Sequence, residues 1–380
     1  MGKLLLLGYF GAGNLGDDGF VVDFLKRWQP ELRSRGLTCD YTAAGSRNPL
    51  EGFAEAGEIR DLLGKEVSRK ALLTVRPSSY DAMVAPGGSL LQNATSMRSL
   101  LFYLHVISRF ANAGAPVFML GQGLGPFKGK LAGPLVANTL KHVKLLTLRD
   151  RASFEWVQTE RIPGALLSAD PLLAGKLQSS LGRASGCEAR YAVYIPKPSR
   201  KTALMPSAWV GLEQSGRVAE HLVTPQYFLA EYLYGLSNYD LEILALHLGQ
   251  DSKLVDDLAG AGDGYSLNPY EHTAADVLNI IEHGHMVVSY RLHGLILAAA
   301  MGVPAFGVAY DPKVIAFCLE MGLPYCTPSE VVGGSAPPLI EHLWHNREQV
   351  KATMFERRAA ALQRLESAEV HFAQLIWGGS

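Results

Sequence analysis

Two segments far apart in the chain carry residue types suited to one small anion. The first, Gly8-Tyr9-Phe10-Gly11-Ala12-Gly13-Asn14-Leu15-Gly16-Asp17-Asp18, follows an apolar run and joins flexible backbone to two carboxylates. The second, Ser289-Tyr290-Arg291-Leu292-His293-Gly294, sets a guanidinium two residues from an imidazole. Glycine turns let backbone N–H groups approach an oxyanion at a helix N-terminus. Arginine grips a carboxylate or phosphate with a fork of donors, and histidine moves protons near neutral pH. If the fold brings the two segments together, they line a cleft for chemistry on a charged substrate.

Smaller motifs extend this set. Pro86-Gly87-Gly88-Ser89 and Gly121-Gln122-Gly123 are glycine turns after apolar runs. Each reads as a tight connection or a ligand contact, with Ser89 and Gln122 suited to sugar hydroxyls. Arg149 ends another apolar run. It either grips an anion bidentately or pairs locally with Asp150 or Asp170. In Tyr310-Asp311-Pro312-Lys313, Asp311 reads as a helix cap and Pro312 as the first helical residue. Lys313 then neutralises a phosphate or faces solvent.

Residues 11–16 also fit the G-x-G-x-x-G pattern of dinucleotide sites, with Asp40 as the ribose partner. Asp17 and Asp18 argue against that use. They suit the positive end of a helix but repel a pyrophosphate there. They read as capping groups or as a base that orients or deprotonates a substrate hydroxyl. His293, in a first helical turn, feels the same positive end, which disfavours its protonated form. His283 and His285 have no cysteine or carboxylate partner at metal-ligand spacing, so no metal site is expected.

The elements that must position these groups follow a βαβα rhythm. Strands are expected at Lys3–Phe10, Leu37–Ala43, Ala82–Ala85, Pro116–Leu120 and Lys144–Leu148. Helices are expected at Asp17–Trp28 and Met97–Ala113. The rhythm weakens in a Gly/Ser-rich joint between Lys176 and Arg190 and then resumes. Strands follow at Arg190–Ile195, Leu241–Leu246, Met286–Ser289 and Ala305–Val308. The helices between are Asp251–Ala259, Ala274–Glu282 and Leu292–Met301. Glu341–Ala373 reads as one long charged helix packing back on the molecule. The expected fold is α/β, with two doubly wound parallel-sheet domains and a cleft between them. The domains run 1–178 and 187–340, followed by the terminal helix in 341–380.

Composition narrows the function classes. Thirty-five basic and 36 acidic residues give a net charge of −1, which offers no footprint for nucleic acid. No window reaches the ~18 apolar residues of a spanning helix. The apolar start, Leu4 to Leu7, reads as a buried strand rather than a signal peptide. Cys39, Cys187, Cys318 and Cys326 form no Cys-x-x-Cys pair and read as reduced, in a cytoplasmic protein.

Taken in order, these segments, with Ser168-Ala169-Asp170-Pro171 and Gly302-Val303-Pro304, resemble the polysaccharide pyruvyltransferase family. The likeness is to its CsaB type, which pyruvylates secondary cell-wall polymers for S-layer anchoring. The resemblance implies two Rossmann-like domains in a GT-B-like arrangement. It implies phosphoenolpyruvate as donor and co-substrate, without cofactor or metal. The acceptor it implies is a sugar such as one in an N-acetylmannosamine-containing, lipid-linked glycan. In the family an arginine and a histidine that fall on Arg149 and His293 hold the donor, with the backbone at Leu292 beside them. Arg291 and Lys313 are added as donor-side cations. Asp17 is the candidate base, and Asn14, Asp18, Gly88, Ser89 and Gln122 form the acceptor side. A lipid-linked acceptor would bring the enzyme to the inner membrane face, although no amphipathic anchor stands out in the sequence. Where relatives often carry a Ser-Leu-Arg-like segment, this chain reads Tyr194-Ile195-Pro196-Lys197-Pro198-Ser199-Arg200. Lys197 or Arg200 is then the substitute cation, and residues 203–223 also look atypical. Three rival readings are a GT-B glycosyltransferase using a nucleotide sugar, an NAD-linked oxidoreductase, and a non-catalytic sugar-binding protein.

Overall fold

The computed structural model describes residues 2–94, 96–177, 191–195, 197, 225–237, 240–260 and 273–378. Cys187, Arg200, residues 203–223 and most of the expected interdomain joint lie outside the described residues. The chain divides into two compact units. One comprises Met1–Leu177 with Ala360–Ser380, and the other Gln178–Ala359.

The first unit is built on seven strands: β1 (Lys3–Phe10), β2 (Thr38–Ala43), β3 (Leu63–Ser68), β4 (Ala82–Ala85), β5 (Val117–Gln122), β6 (Leu145–Leu148) and β7 (Ala165–Leu167). All neighbours pair parallel, in the order β3-β2-β1-β4-β5-β6-β7. Leu4 to Leu7 are all buried, the unbroken apolar run of a strand covered on both faces. The order reverses between β1 and β4, which defines the crevice where such sheets take ligands.

The second unit has β8 (Tyr191–Ile195), β9 (Asp240–Ile243), β10 (Met286–Ser289), β11 (Ala305–Val308) and β12 (Tyr325–Cys326), all parallel in the order β12-β11-β10-β8-β9. Counted within the unit this is the flavodoxin-like order 2-1-3-4-5. Its reversal lies between β8 and β10.

The single terminal helix expected at Glu341–Ala373 is two helices, Ala336–His345 and Arg347–Trp377. Asn346 breaks them. Its side-chain amide donates to the His342 carbonyl at 2.9 Å, and a side chain that offers this local bond competes with continued helix. Residues 360–380 belong to the first unit. There Phe372 packs edge-on to Trp28 and Phe118, both at 5.1 Å between ring centroids. Arg27 bridges Asp23 at 2.7 Å and Glu369 at 2.6 Å, tying this helix to the Leu15–Arg27 helix.

Candidate functional site

In the first unit, the turns after β1 and β4 flank the reversal point. Asn14 caps the Leu15–Arg27 helix, its oxygen accepting from the Gly16 N–H, and its amide donates to Asp17 Oδ2 at 2.6 Å. Asp17 is half-buried, and its Oδ1 lies 3.9 Å from where a Cβ on Gly88 would sit. Gly88 has φ +96°, a backbone state that L side chains rarely adopt. The two turns therefore meet at Asp17, at the ligand-binding edge.

Asp18 faces inward. It is buried and accepts the Gly11 N–H at 2.6 Å. Burial, reinforced by the neighbouring Asp17 charge, outweighs that hydrogen bond and pushes its carboxyl up to about 7. Asp18 fastens the glycine turn, whereas Asp17 is the carboxylate at the edge.

Gln122 corrects the expectation that it meets a sugar. Its side chain is fully buried, and its amide nitrogen donates to the carbonyls of Gly87, Leu120 and Ala85. It shapes the turn that carries Gly88 and Ser89 instead of offering a group to a hydroxyl.

Arg149 is 8% exposed at the end of β6. It donates to Asp170 Oδ2 at 2.7 Å and to Ser89 Oγ at 2.9 Å. The local pairing with Asp170 is therefore present. It occupies one of five N–H donors and Ser89 a second. A Cβ on Gly123 would lie 3.0 Å from Arg149 Nε, so the glycine makes room for the guanidinium.

In the second unit, the turn after β10 is locked by Ser289. Its hydroxyl donates to the Arg291 carbonyl and accepts the Arg291 N–H. Gly294 lets the Leu292–Met301 helix approach the sheet, since a Cβ there would lie 2.5 Å from Ser289 Oγ. The helix has no side-chain cap at Arg291. Leu292 and His293 thus open a helix whose first amides lack intrahelical acceptors, a setting that favours anions. By contrast, the Pro312–Met321 helix, which begins next to Lys313, is capped by Asp311.

Arg291 makes a two-point ion pair with Asp251, a fully buried carboxylate that also accepts the His247 backbone N–H at 3.0 Å. The structural alternative for Arg291 is therefore realised. Lys197, just beyond β8, differs. Its ammonium sits 3.6 Å above the Tyr310 ring centroid. No described carboxylate lies within ion-pair distance of it. Since β10 lies between β8 and β11, this contact carries the ammonium across the end of β10, over the Arg291 turn. Burial, aided by repulsion from Arg291, lowers its pKa to about 8.

His247 was not anticipated by the sequence reading. It ends the segment after β9 and is 8% exposed. Burial and the Arg291 charge depress its pKa, so the neutral ring is favoured. Its only sequence signal was a lone histidine after an apolar run. Topology is what puts it beside Lys197 and Arg291.

Both units are parallel α/β sheets whose polar side chains gather at the carboxyl edge, the design of the GT-B glycosyltransferase and epimerase fold. The structure is similar across its full length to a candidate UDP-N-acetylglucosamine 2-epimerase from Listeria monocytogenes. The TM-score is 0.61 at 13% identity, covering 100% of this chain and 97% of the other. It is also similar to S. aureus MnaA solved with UDP (TM-score 0.59, 9% identity, 99% and 97% covered). Anabaena HepE in complex with UDP and glucose gives a TM-score of 0.55 at 14% identity, with 99% of each chain covered. At such identities the likeness is one of fold. The sequence is more specific. The model of the polysaccharide pyruvyl transferase family matches residues 14–312, and the chain belongs to that family. It is 23% identical to the amylovoran biosynthesis protein AmsJ of Erwinia amylovora over 92% of this chain and 94% of the relative. Among the described residues, no helix is long and apolar enough to cross a membrane.

Proposed function

We propose that the protein transfers the pyruvyl group of phosphoenolpyruvate onto two hydroxyls of one sugar residue, releasing phosphate. The acceptor in this reading belongs to a lipid-linked cell-wall glycan, such as one containing N-acetylmannosamine, built for S-layer anchoring. AmsJ, with its part in amylovoran biosynthesis, supports a polysaccharide acceptor more generally. The observation that carries the donor is Lys197. It is a half-buried ammonium with no described ion-pair partner, beside the helix that begins with Leu292 and His293 and has no side-chain cap. A half-buried charge without an ion-pair partner is costly, and a bound dianion relieves that cost.

In this mechanism the helix amides at Leu292 and His293, with Lys197, take the phosphate, and Arg149 takes an anionic group of the donor. The methylene carbon is protonated as a sugar oxygen attacks C2. Phosphate leaves, and the second hydroxyl closes the ketal. The two hydroxyl protons end on the new methyl group and on phosphate. Asp17 receives a hydroxyl proton, and His293 delivers one to the donor. Arg291, held by Asp251, supports the turn, while Asn14, Gly88 and Ser89 shape the acceptor edge around Asp17.

The test is a product assay with the purified protein and a soluble acceptor sugar. The expected result is phosphate release from phosphoenolpyruvate that matches ketal formation. Nucleotide release from UDP-N-acetylglucosamine, with phosphoenolpyruvate untouched, would replace this reading with glycosyl transfer.

A further inference from the structure

One stretch of the first unit is free of acidic residues and carries exposed apolar side chains. Between Asp81 and Asp150 the sequence contains no aspartate or glutamate but seven lysines and arginines, in a chain where the two signs otherwise balance. This stretch forms β4, β5, β6 and the helices Met97–Asn112 and Ala132–Leu140. The helices run side by side in parallel, with Ser108 Oγ 3.5 Å from Thr139 Oγ1. Leu101 lies two turns before Ser108, while Leu135 and Leu131 lie one and two turns before Thr139. All three therefore border the same seam toward its N-terminal end. They are unusually open there: Leu131 is 70% exposed, Leu101 46% and Leu135 42%, with Met97 beside them at 37%. Exposed single leucines are ordinary, but a group of four apolar side chains is not.

The loop that carries Leu131 is pinned. Asn93 donates to the Lys128 carbonyl at 2.8 Å and accepts the Lys128 N–H at 2.6 Å. The neighbouring Arg98, Lys128 and Lys130 are exposed. Leucines at a rigid tip, ringed by cations and without a single carboxylate in the stretch, match a surface that is apolar within and anionic outside. A soluble polyanion would satisfy the cations and leave the leucines in water.

We propose that this face docks on an anionic phospholipid surface, with Leu131, Leu135, Leu101 and Met97 entering the headgroup boundary and Arg98, Lys128 and Lys130 meeting the lipid phosphates. The inference is independent of the donor chemistry. The face continues the loop leaving β5, so a sugar presented from a membrane would arrive at the sheet edge that holds Asp17 and Ser89.

The experiment is co-sedimentation of the full chain with vesicles of phosphatidylcholine alone and of phosphatidylcholine mixed with phosphatidylglycerol. The expected result is binding to the mixed vesicles only, weakened by salt. Lys130→Glu should lose about fivefold or more in affinity, and Leu131→Asp about tenfold. Both should keep the wild-type melting temperature and the wild-type rate on a soluble acceptor. Leu135→Gln, on the helix itself, serves as a second apolar variant and should also weaken binding. Absence of binding to the mixed vesicles at low salt overturns the proposal. So does binding that Leu131→Asp and Leu135→Gln leave unchanged, which would make the face a polyanion or protein contact.

Discussion

The two sheets present opposite chemistry at the same structural position. At the reversal point of the first unit, charges are already answered. Arg149 is paired with Asp170, Asp18 accepts a backbone N–H, and Asp17 is held by Asn14. At the reversal point of the second unit, Asp251 pairs with Arg291, whereas no described carboxylate lies within ion-pair distance of Lys197, and the adjacent helix start has no side-chain cap. One edge offers an oriented carboxylate beside small polar groups, as a sugar hydroxyl requires. The other offers the Lys197 ammonium and a helix start without a side-chain cap, as a phosphorylated acid requires. In the proposed reading a shared architecture carries two different sites, and the side chains that cap or neutralise each edge make the difference.

The largest expected effect tests whether Arg149 is more than half of an ion pair. Arg149→Ala should lower turnover by about a hundredfold or more, in the range for removing a charge-assisted contact in the transition state. Because it also strands the buried Asp170, the double variant Arg149→Ala/Asp170→Ala serves as the folding control. Wild-type turnover in a folded variant would remove Arg149 from the donor site.

Asp251 provides the next contrast. Asp251→Ala should destabilise the second unit by roughly 3 kcal/mol, because it leaves the largely buried Arg291 charge without its carboxylate and the His247 N–H without its acceptor. Denaturant unfolding measures this. A loss below ~1 kcal/mol would place the Arg291 charge in solvent.

Lys197 gives a pH signature. Its proton is lost near pH 8 in the free enzyme, so donor affinity should fall as pH rises through 8. Lys197→Arg, charged throughout, should flatten that fall, and Lys197→Met should raise the KM for phosphoenolpyruvate about tenfold at pH 7. A profile identical in Lys197→Arg and wild type would disconnect this ammonium from the donor.

Asp18 makes the smallest difference. Its folded pKa, about 7, stands above the ordinary 3.8, so the protonated form stabilises the native state. That contribution is full below pH 4 and is lost as pH rises to 7. Asp18→Asn keeps an acceptor for Gly11 and should shrink this decline, raising the melting temperature at pH 8 by a few degrees. An equal or lower melting temperature would show that the carboxylate is favoured when charged.

The strands that the sequence announced were those buried on both faces, such as Lys3–Phe10 and Met286–Ser289. Those it hid were β3, an edge strand with exposed Lys65 and Glu66, and β7 and β12, too short to show a pattern. For the candidate site, glycine turns and the Arg291–His293 pair were visible because they are local. The sharing of Asp251 by Arg291 and His247, and the reach of Lys197 to Tyr310, arise from strand order and leave no mark in spacing. Gln122 misled for a related reason. A polar residue after a strand looks ligand-facing until the neighbouring turn claims its amide.

In the proposed reading the second edge holds the phosphate of the donor, while Asp17 at the first serves the acceptor. Calorimetric titration of phosphoenolpyruvate into wild type, His293→Ala, Lys197→Met and Asp17→Asn tests it most directly. Affinity should fall by at least about tenfold in His293→Ala and Lys197→Met and be retained in Asp17→Asn. Wild-type affinity in both His293→Ala and Lys197→Met, or its loss in Asp17→Asn alone, would contradict it.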